Sequence, residues 1–165
     1  LIQAKQLTLV VREDETKPPE IIDPGLVGDV TAINPEIIHT LTSQGFIPVI
    51  APVGTGPLGE TYNINADLVA GKVAAALSAG RLFLMTDVDG LMDASGTLVP
   101  TVDRARARQI IENQSISGGL IPKLECALEA LTQGIEKVPI INGKRRHALL
   151  FELFTDKGIG TEVIP

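Results

Sequence analysis

The chain has no tryptophan, one tyrosine, four phenylalanines and a single cysteine, Cys126. One thiol cannot close an internal disulfide, which excludes a disulfide-built scaffold and fits a reducing, cytoplasmic setting. With aromatics at 3% and apolar residues at 44%, a core must be built from Ile, Leu, Val and Ala. Aliphatic cores of this kind are typical of parallel sheets covered on both faces. No apolar run approaches the ~20 residues that a membrane-crossing helix needs, and no basic-then-apolar leader is visible, so no membrane partner is expected. Basic charge is scarce too. A net charge of −6 repels nucleic-acid phosphate, which argues against DNA or RNA as a partner.

What is present is sized for one domain, or one and a half small ones, at 165 residues. The chain opens on Leu1 rather than methionine, and Leu1–Gln6 reads like the middle of an element. The expectation is a fragment that lacks an amino-terminal portion.

Along the chain, Leu7–Arg12 reads as a strand and Asp14–Pro24, with three prolines, as a turn or exposed loop. Asn34 and Pro35 open a helix with Ile37, Ile38 and Leu41 on one face, and Gly45 stops it. The continuous apolar run Phe46–Ala51 predicts a buried strand. Val53–Glu60 holds three glycines and a proline, which suits a loop or hairpin. Asn65 or Asp67 caps a second helix carrying Val69, Val73, Ala76 and Leu77. Leu82–Met85 is the next strand. Asp103 caps a helix over Arg104–Asn113, and Ile121–Gln133 forms another with Leu124, Ala127, Leu128 and Leu131 in register. Val138–Ile141 is a strand, His147–Phe154 a short helix and Thr161–Ile164 a last strand. Alternation of strands with helices predicts an α/β fold with a mostly parallel sheet.

The segment with most chemical content is Thr86-Asp87-Val88-Asp89-Gly90, just beyond a predicted strand. Ligands of open α/β sheets bind outside the carboxyl ends of strands. Asp87 and Asp89 either face a nucleotide, directly or through Mg²⁺, or cap their own turn as Asx residues. Further on, Ser117-Gly118-Gly119 leads into a helix whose first turn holds Lys123. The glycine pair permits close backbone approach, and helix amino-terminal amides attract phosphate. Its spacing matches neither the P-loop nor the dinucleotide fingerprint. A lysine in a first helical turn opposes the helix dipole, and an anionic ligand there would explain it. In Asn63-Ile64-Asn65-Ala66-Asp67 one polar side chain must cap the following helix, which leaves others for a ligand or for orienting a lysine. Asp67 paired with Lys123 would aim an ammonium at a transferring phosphoryl group. Cys126 reads as core and Lys144-Arg145-Arg146 as a solvated turn. His147 and Glu152 read either as a helix start with a salt bridge or as ligands of a small charged effector.

These segments together with Gly118-Gly119-Leu120-Ile121-Pro122-Lys123 resemble the carboxyl-terminal part of the N-acetylglutamate kinases, of the amino-acid kinase superfamily. The Asp87–Gly90 turn is shared across the superfamily, including glutamate 5-kinases, whereas the other two segments are more specific. The resemblance implies a three-layer αβα fold whose amino-terminal part is missing. Residues 1–78 would be a remnant of the substrate-binding lobe and 79–165 the nucleotide-binding lobe. It implies transfer of the γ-phosphate of ATP, carried with Mg²⁺, to the side-chain carboxylate of N-acetyl-L-glutamate in arginine biosynthesis. Lys123 would stabilise the phosphoryl in flight and Asp67 would organise the catalytic lysines. Asn63 and Asn65 would contact the acceptor. Asp87, Val88, Asp89, Gly90, Leu91 and Met92, with Ser115, Ile116, Ser117, Gly118 and Gly119, would line the nucleotide pocket. No protein side chain is implied as a metal ligand. The tail with His147, Glu152, Gly158 and Gly160 is similar to that of arginine-inhibited members, in which an amino-terminal helix builds a homo-oligomer. The family's glycine-rich phosphate loop, second catalytic lysine and substrate-gripping arginine have no counterpart here. The chain alone is therefore expected not to turn over. The competing readings are another kinase of the superfamily and a non-catalytic nucleotide-binding module.

Overall fold

In the computed structural model the described residues are 1–11, 20–113, 116, 119–156 and 158–165. They fall into two compact units, Leu1–Val73 and Ala74–Pro165.

The first unit is built on a four-stranded sheet. Ile2–Gln6 (β1) lies between Gly28–Ile33 (β4), antiparallel, and Val53–Thr55 (β5), parallel. Thr61–Asn63 (β6) closes the sheet as the antiparallel hairpin partner of β5. Leu9–Val11 (β2) and Glu20–Ile22 (β3) form a separate ribbon, so part of the segment expected to be loop is strand. Of that segment, residues 14–19 lie outside the described residues. The helix Glu36–Ser43 (α1) starts as its sequence predicts: the Asn34 side-chain oxygen accepts from the Glu36 amide at 3.0 Å. Ile2, Ala4, Tyr62, Ile64 and Val69 form this unit's buried cluster.

Within Leu1–Gln6 the strand alternates buried Ile2 and Ala4 with exposed Gln3 and Lys5. One expectation fails here. Phe46–Ala51 is not a strand: it joins no strand pairing among the described residues, and Ile47 and Val49 are over 90% exposed. Pro48 removes one ladder donor, and an apolar run is buried only where neighbouring elements cover it. Beside it, Leu1, Ile37, Leu41, Val49 and Val53 line an apolar groove of about 300 Å³. Gly54, Gly56 and Gly59 have dinucleotide-fingerprint spacing but turn a β-hairpin, so the strand-to-helix context that fingerprint requires is absent.

The helix Ala66–Ala76 (α2) spans the boundary between the units. The second unit contains Leu84–Thr86 (β7), Thr101–Asp103 (β8), Val138–Asn142 (β9) and Thr161–Ile164 (β10) in the order β7-β9-β10-β8. β7 runs parallel to β9 and β8 parallel to β10, while the central β9–β10 pair is antiparallel. The α/β class stands as expected, with mixed sheets in place of a mostly parallel one. Arg104–Glu112 (α3) is capped by Asp103, whose carboxylate accepts from the Arg106 amide at 2.8 Å. Leu120–Thr132 (α4) buries Leu124, Ala127, Ala130 and Leu131, the face its spacing predicts. Ala148–Phe154 (α5) packs near β9. Leu84, Leu124, Ile140, Ile141 and Val163 are at most 1% exposed, so the core is aliphatic as the composition requires. Each such side chain contributes about 1.5–3 kcal/mol of burial.

Between β7 and β8 the chain turns tightly at Asp93. Its carboxylate accepts from the Ser95 hydroxyl at 2.6 Å, the Ser95 amide at 2.8 Å and the Thr97 amide at 2.9 Å. The Ser95 hydroxyl, then the Thr97 amide, hold this carboxyl below the usual carboxylate range. A depressed folded-state pKa adds stability that is complete above the unfolded value of about 3.9 and is lost as pH falls through the folded value. Asp93→Asn should therefore be less stable than wild type at neutral pH, with the gap closing below about pH 4. Urea midpoints of both proteins across that range check it, and a gap independent of pH would refute it.

Candidate nucleotide site

β7 and β9 end side by side, and the backbone that follows them forms the candidate site. The Gly143 amide donates to the Thr86 carbonyl at 2.8 Å, fastening the two strand ends. Asp87 and Asp89 stand in the turn beyond β7. Asn142, the last residue of β9, donates its side-chain amide to Asp89 at 2.8 Å, and Lys144 lies 3.5 Å from Asp87. Both partners of the Lys144–Asp87 pair are 72% exposed, so solvent screens it and it contributes little to stability. The two carboxylates are thus partnered by side chains at and just after the end of β9, while Asp87 and Val88 stay exposed at the strand ends.

Leu91 is buried and Met92 is 43% exposed, so these two face opposite environments. The Leu91 amide donates to the Thr161 hydroxyl at 2.8 Å, and its carbonyl accepts from the Val99 amide at 2.8 Å. At Gly90 φ is +136°, a conformation that L side chains rarely adopt.

Lys123 is half-buried in the first turn of α4. Gly119 is that helix's N-cap and makes no side-chain cap bond, so the helix start presents backbone amides alone. Ile116 is half-buried before it. Ser115, Ser117 and Gly118 lie outside the described residues. The other candidate residues belong to the first unit. Asn63 ends β6 and is exposed. Asn65 is the cap of α2, its side-chain oxygen accepting from the Asp67 amide at 2.9 Å and the Leu68 amide at 3.2 Å. That resolves the choice between Asn65 and Asp67, and leaves Asp67 half-buried within the first helical turn.

A polar cavity of about 560 Å³ lies elsewhere in the same unit as Lys123. Glu152, Gly158 and Gly160 line it with Arg81, Lys137 and Glu162. Lys137 and Glu162 pair at 3.1 Å, and Glu152 accepts from the Ile159 amide at 2.7 Å. Lys137, Arg81 and Glu162 are three that sequence reasoning missed. Their signal is faint, since single charges at strand ends are ordinary surface residues. His147 does not line the cavity: it is exposed, adopts φ +60° before α5 and accepts from the Arg146 side chain at 3.0 Å. Among the described residues no cluster of three His, Cys, Asp or Glu side chains could hold a metal ion. No described helix is long and apolar enough to cross a membrane.

The chain is 53% identical to an acetylglutamate kinase of Oleidesulfovibrio alaskensis over 99% of its own length and 55% of that protein's. It is 50% identical to an acetylglutamate kinase of Syntrophobacter fumaroxidans, again over 99% of this chain and 55% of the relative. The chain thus spans about half the length of the curated relatives it matches. Among solved structures it is similar to N-acetylglutamate synthase from Neisseria gonorrhoeae complexed with coenzyme A and L-arginine. That likeness has a TM-score of 0.85 and 28% identity, over 99% of this chain and 36% of the other. Residues 2–142 match the sequence model of the amino acid kinase family, and the chain belongs to that family.

Proposed function

We propose that this chain carries the nucleotide-handling part of a cytoplasmic kinase that phosphorylates the side-chain carboxylate of N-acetyl-L-glutamate with ATP. The carrying observation is 53% identity to an acetylglutamate kinase over 99% of the chain. The segments around Asn63, Asp87 and Lys123 give the reading its chemistry. In the reaction a carboxylate oxygen attacks the γ-phosphorus, the bond to the β-phosphate oxygen breaks, and ADP leaves with the electron pair. The acceptor is already ionised at neutral pH, so no general base is needed. Catalysis then rests on positioning and on neutralising the charge spread over the phosphoryl oxygens.

Lys123 supplies that charge, and Asp67 orients the catalytic lysine. Asn63 binds the acceptor, and Asn65, besides capping α2, fixes the segment that presents it. Asp87 through Met92, with residues 115–119, receive the nucleotide. Carboxylates there accept from sugar hydroxyls or a base amine, which leaves the phosphates to the amides at the start of α4. Mg²⁺ arrives on the triphosphate, and no protein side chain is assigned to hold it. Residues 1–78 belong on this reading to the acceptor lobe and 79–165 to the nucleotide lobe, in a homo-oligomeric parent.

The cavity lined by Glu152 and Gly158 suits arginine as an effector. Glu152 and Glu162 match a guanidinium, and Lys137 and Arg81 match an α-carboxylate. A neighbour at 28% identity was crystallised with L-arginine, which supports that choice.

The test joins this chain to the amino-terminal part of the Oleidesulfovibrio relative and traps acyl phosphate with hydroxylamine. Hydroxamate should form with MgATP and N-acetylglutamate and not with glutamate, while the 165-residue chain alone binds ATP without turnover. Preference for glutamate would instead favour a glutamate 5-kinase. Nucleotide binding with no transfer by the fusion would favour a non-catalytic module.

A further inference from the structure

Thr161 is the one polar side chain fully buried among the described residues, at 0% exposure. Its hydroxyl is used twice. It accepts from the Leu91 amide at 2.8 Å and donates to the Val99 carbonyl at 2.7 Å. One donor and one acceptor are thereby both satisfied, in a place where water does not reach either. Thr161 also opens β10, whose antiparallel neighbour β9 ends at Asn142, the residue that holds Asp89. The Asp87–Met92 turn is therefore gripped from two sides: Asn142 at its exposed carboxylate and Thr161 at its buried amide.

Gly90 shows how close the second grip is. A Cβ there would stand 2.6 Å from the Thr161 hydroxyl and 3.1 Å from its amide. Glycine at this position lets the turn lie directly on the hydroxyl, and φ +136° then directs the chain from the exposed aspartates into the buried Leu91.

We propose that Thr161 is a positioning residue for the nucleotide: through the Leu91 amide, its hydroxyl sets the conformation in which Asp87–Met92 receives ATP. This rests on the nucleotide site proposed above. A residue that served only to fill the core would give nothing to nucleotide affinity once the protein is folded. A positioning residue lowers affinity when removed, because the turn samples conformations that do not bind.

The experiment compares wild type, Thr161→Val and Thr161→Ser, each as the 165-residue chain, by calorimetric titration of ATP, thermal melting and amide exchange at Leu91. Valine keeps the shape and deletes the hydroxyl, so ATP should bind about tenfold more weakly and Leu91 should exchange about tenfold faster. Serine should restore both to within about threefold of wild type. In the wild type itself, ATP should slow exchange at Leu91, a measurement that holds even if the valine protein fails to fold. A valine variant that melts lower but binds ATP like wild type overturns the proposal, as does a Leu91 amide indifferent to ATP. Absence of ATP binding by the wild-type chain is a different result: it strikes the nucleotide site itself, and the positioning role with it.

Discussion

Lys123→Ala, in a protein that joins this chain to the amino-terminal part of a curated relative, should lose about 10²–10³-fold in turnover with ATP affinity changed less than about threefold. The asymmetry follows from where charge accumulates. On the function proposed above, the triphosphate's charge would be shared in the ground state with its metal ion and with the amides at the start of α4. As the phosphoryl group leaves one oxygen for another, its equatorial oxygens need a cation placed before the reaction begins. A group whose interaction strengthens only at that stage raises kcat without tightening binding. Steady-state rates with saturating ATP, set against a separate ATP titration, check this. Equal losses in affinity and turnover would reduce Lys123 to a binding residue. Lys123→Arg is an informative companion: it keeps the charge but spreads it over a planar fork, so incomplete recovery is expected.

The second large effect is on folding. Gly160→Ala should cost about 3 kcal/mol or more, a large fraction of the roughly 5–15 kcal/mol that stabilises a typical domain. A Cβ at position 160 would run into the main-chain carbonyl of Ile140 and press on the Ile141 side chain. Both belong to β9, the strand between β7 and β10. Backbone in a sheet cannot yield as a long side chain can, so the overlap forces β10 away from its partner. Loss of the cooperative urea transition, or a midpoint moved to far lower denaturant, is the expected reading. A midpoint within experimental scatter of wild type would mean that β9 and β10 are not packed as described. Gly160 also lines the polar cavity, so a variant that folded would be expected to bind a ligand there differently.

These effects trace back unevenly to sequence. α4 was legible because Leu124, Ala127 and Leu131 recur at helical spacing and all three are buried. α3 was legible because Asp103 is a strong cap, and β10 because Thr161–Ile164 matches its strand residue for residue. β8 and β4 escaped notice: Thr101–Asp103 is too short for a period to show, and Gly28–Ile33 lacks a clean apolar alternation. The run Phe46–Ala51 misled, because hydrophobicity signals a need for cover without saying whether cover is there.

The candidate site divides the same way. Asp87, Asp89 and Lys123 stand out from residue type and place: carboxylates after a strand, and a cation where the helix dipole disfavours one. Thr161 gave no such signal. A threonine at a strand start is ordinary, and only burial and two partners distant in sequence, Leu91 and Val99, make it more. Likewise Arg81, Lys137 and Glu162 become one cavity lining only when β7, β9 and β10 lie side by side.

By itself, then, the order of residues determined an aliphatic α/β chain, the helices with strong caps or stripes, and the acidic turn and first-turn lysine of a phosphate-handling family. Those properties depend on neighbours within a few positions, where periodicity and local hydrogen bonding act. The tertiary structure alone decided which apolar runs are covered, how strands pair across mixed sheets, and which hydroxyl holds the turn from beneath. Those depend on groups dozens of residues apart meeting at hydrogen-bond distance, and no local pattern encodes such a meeting.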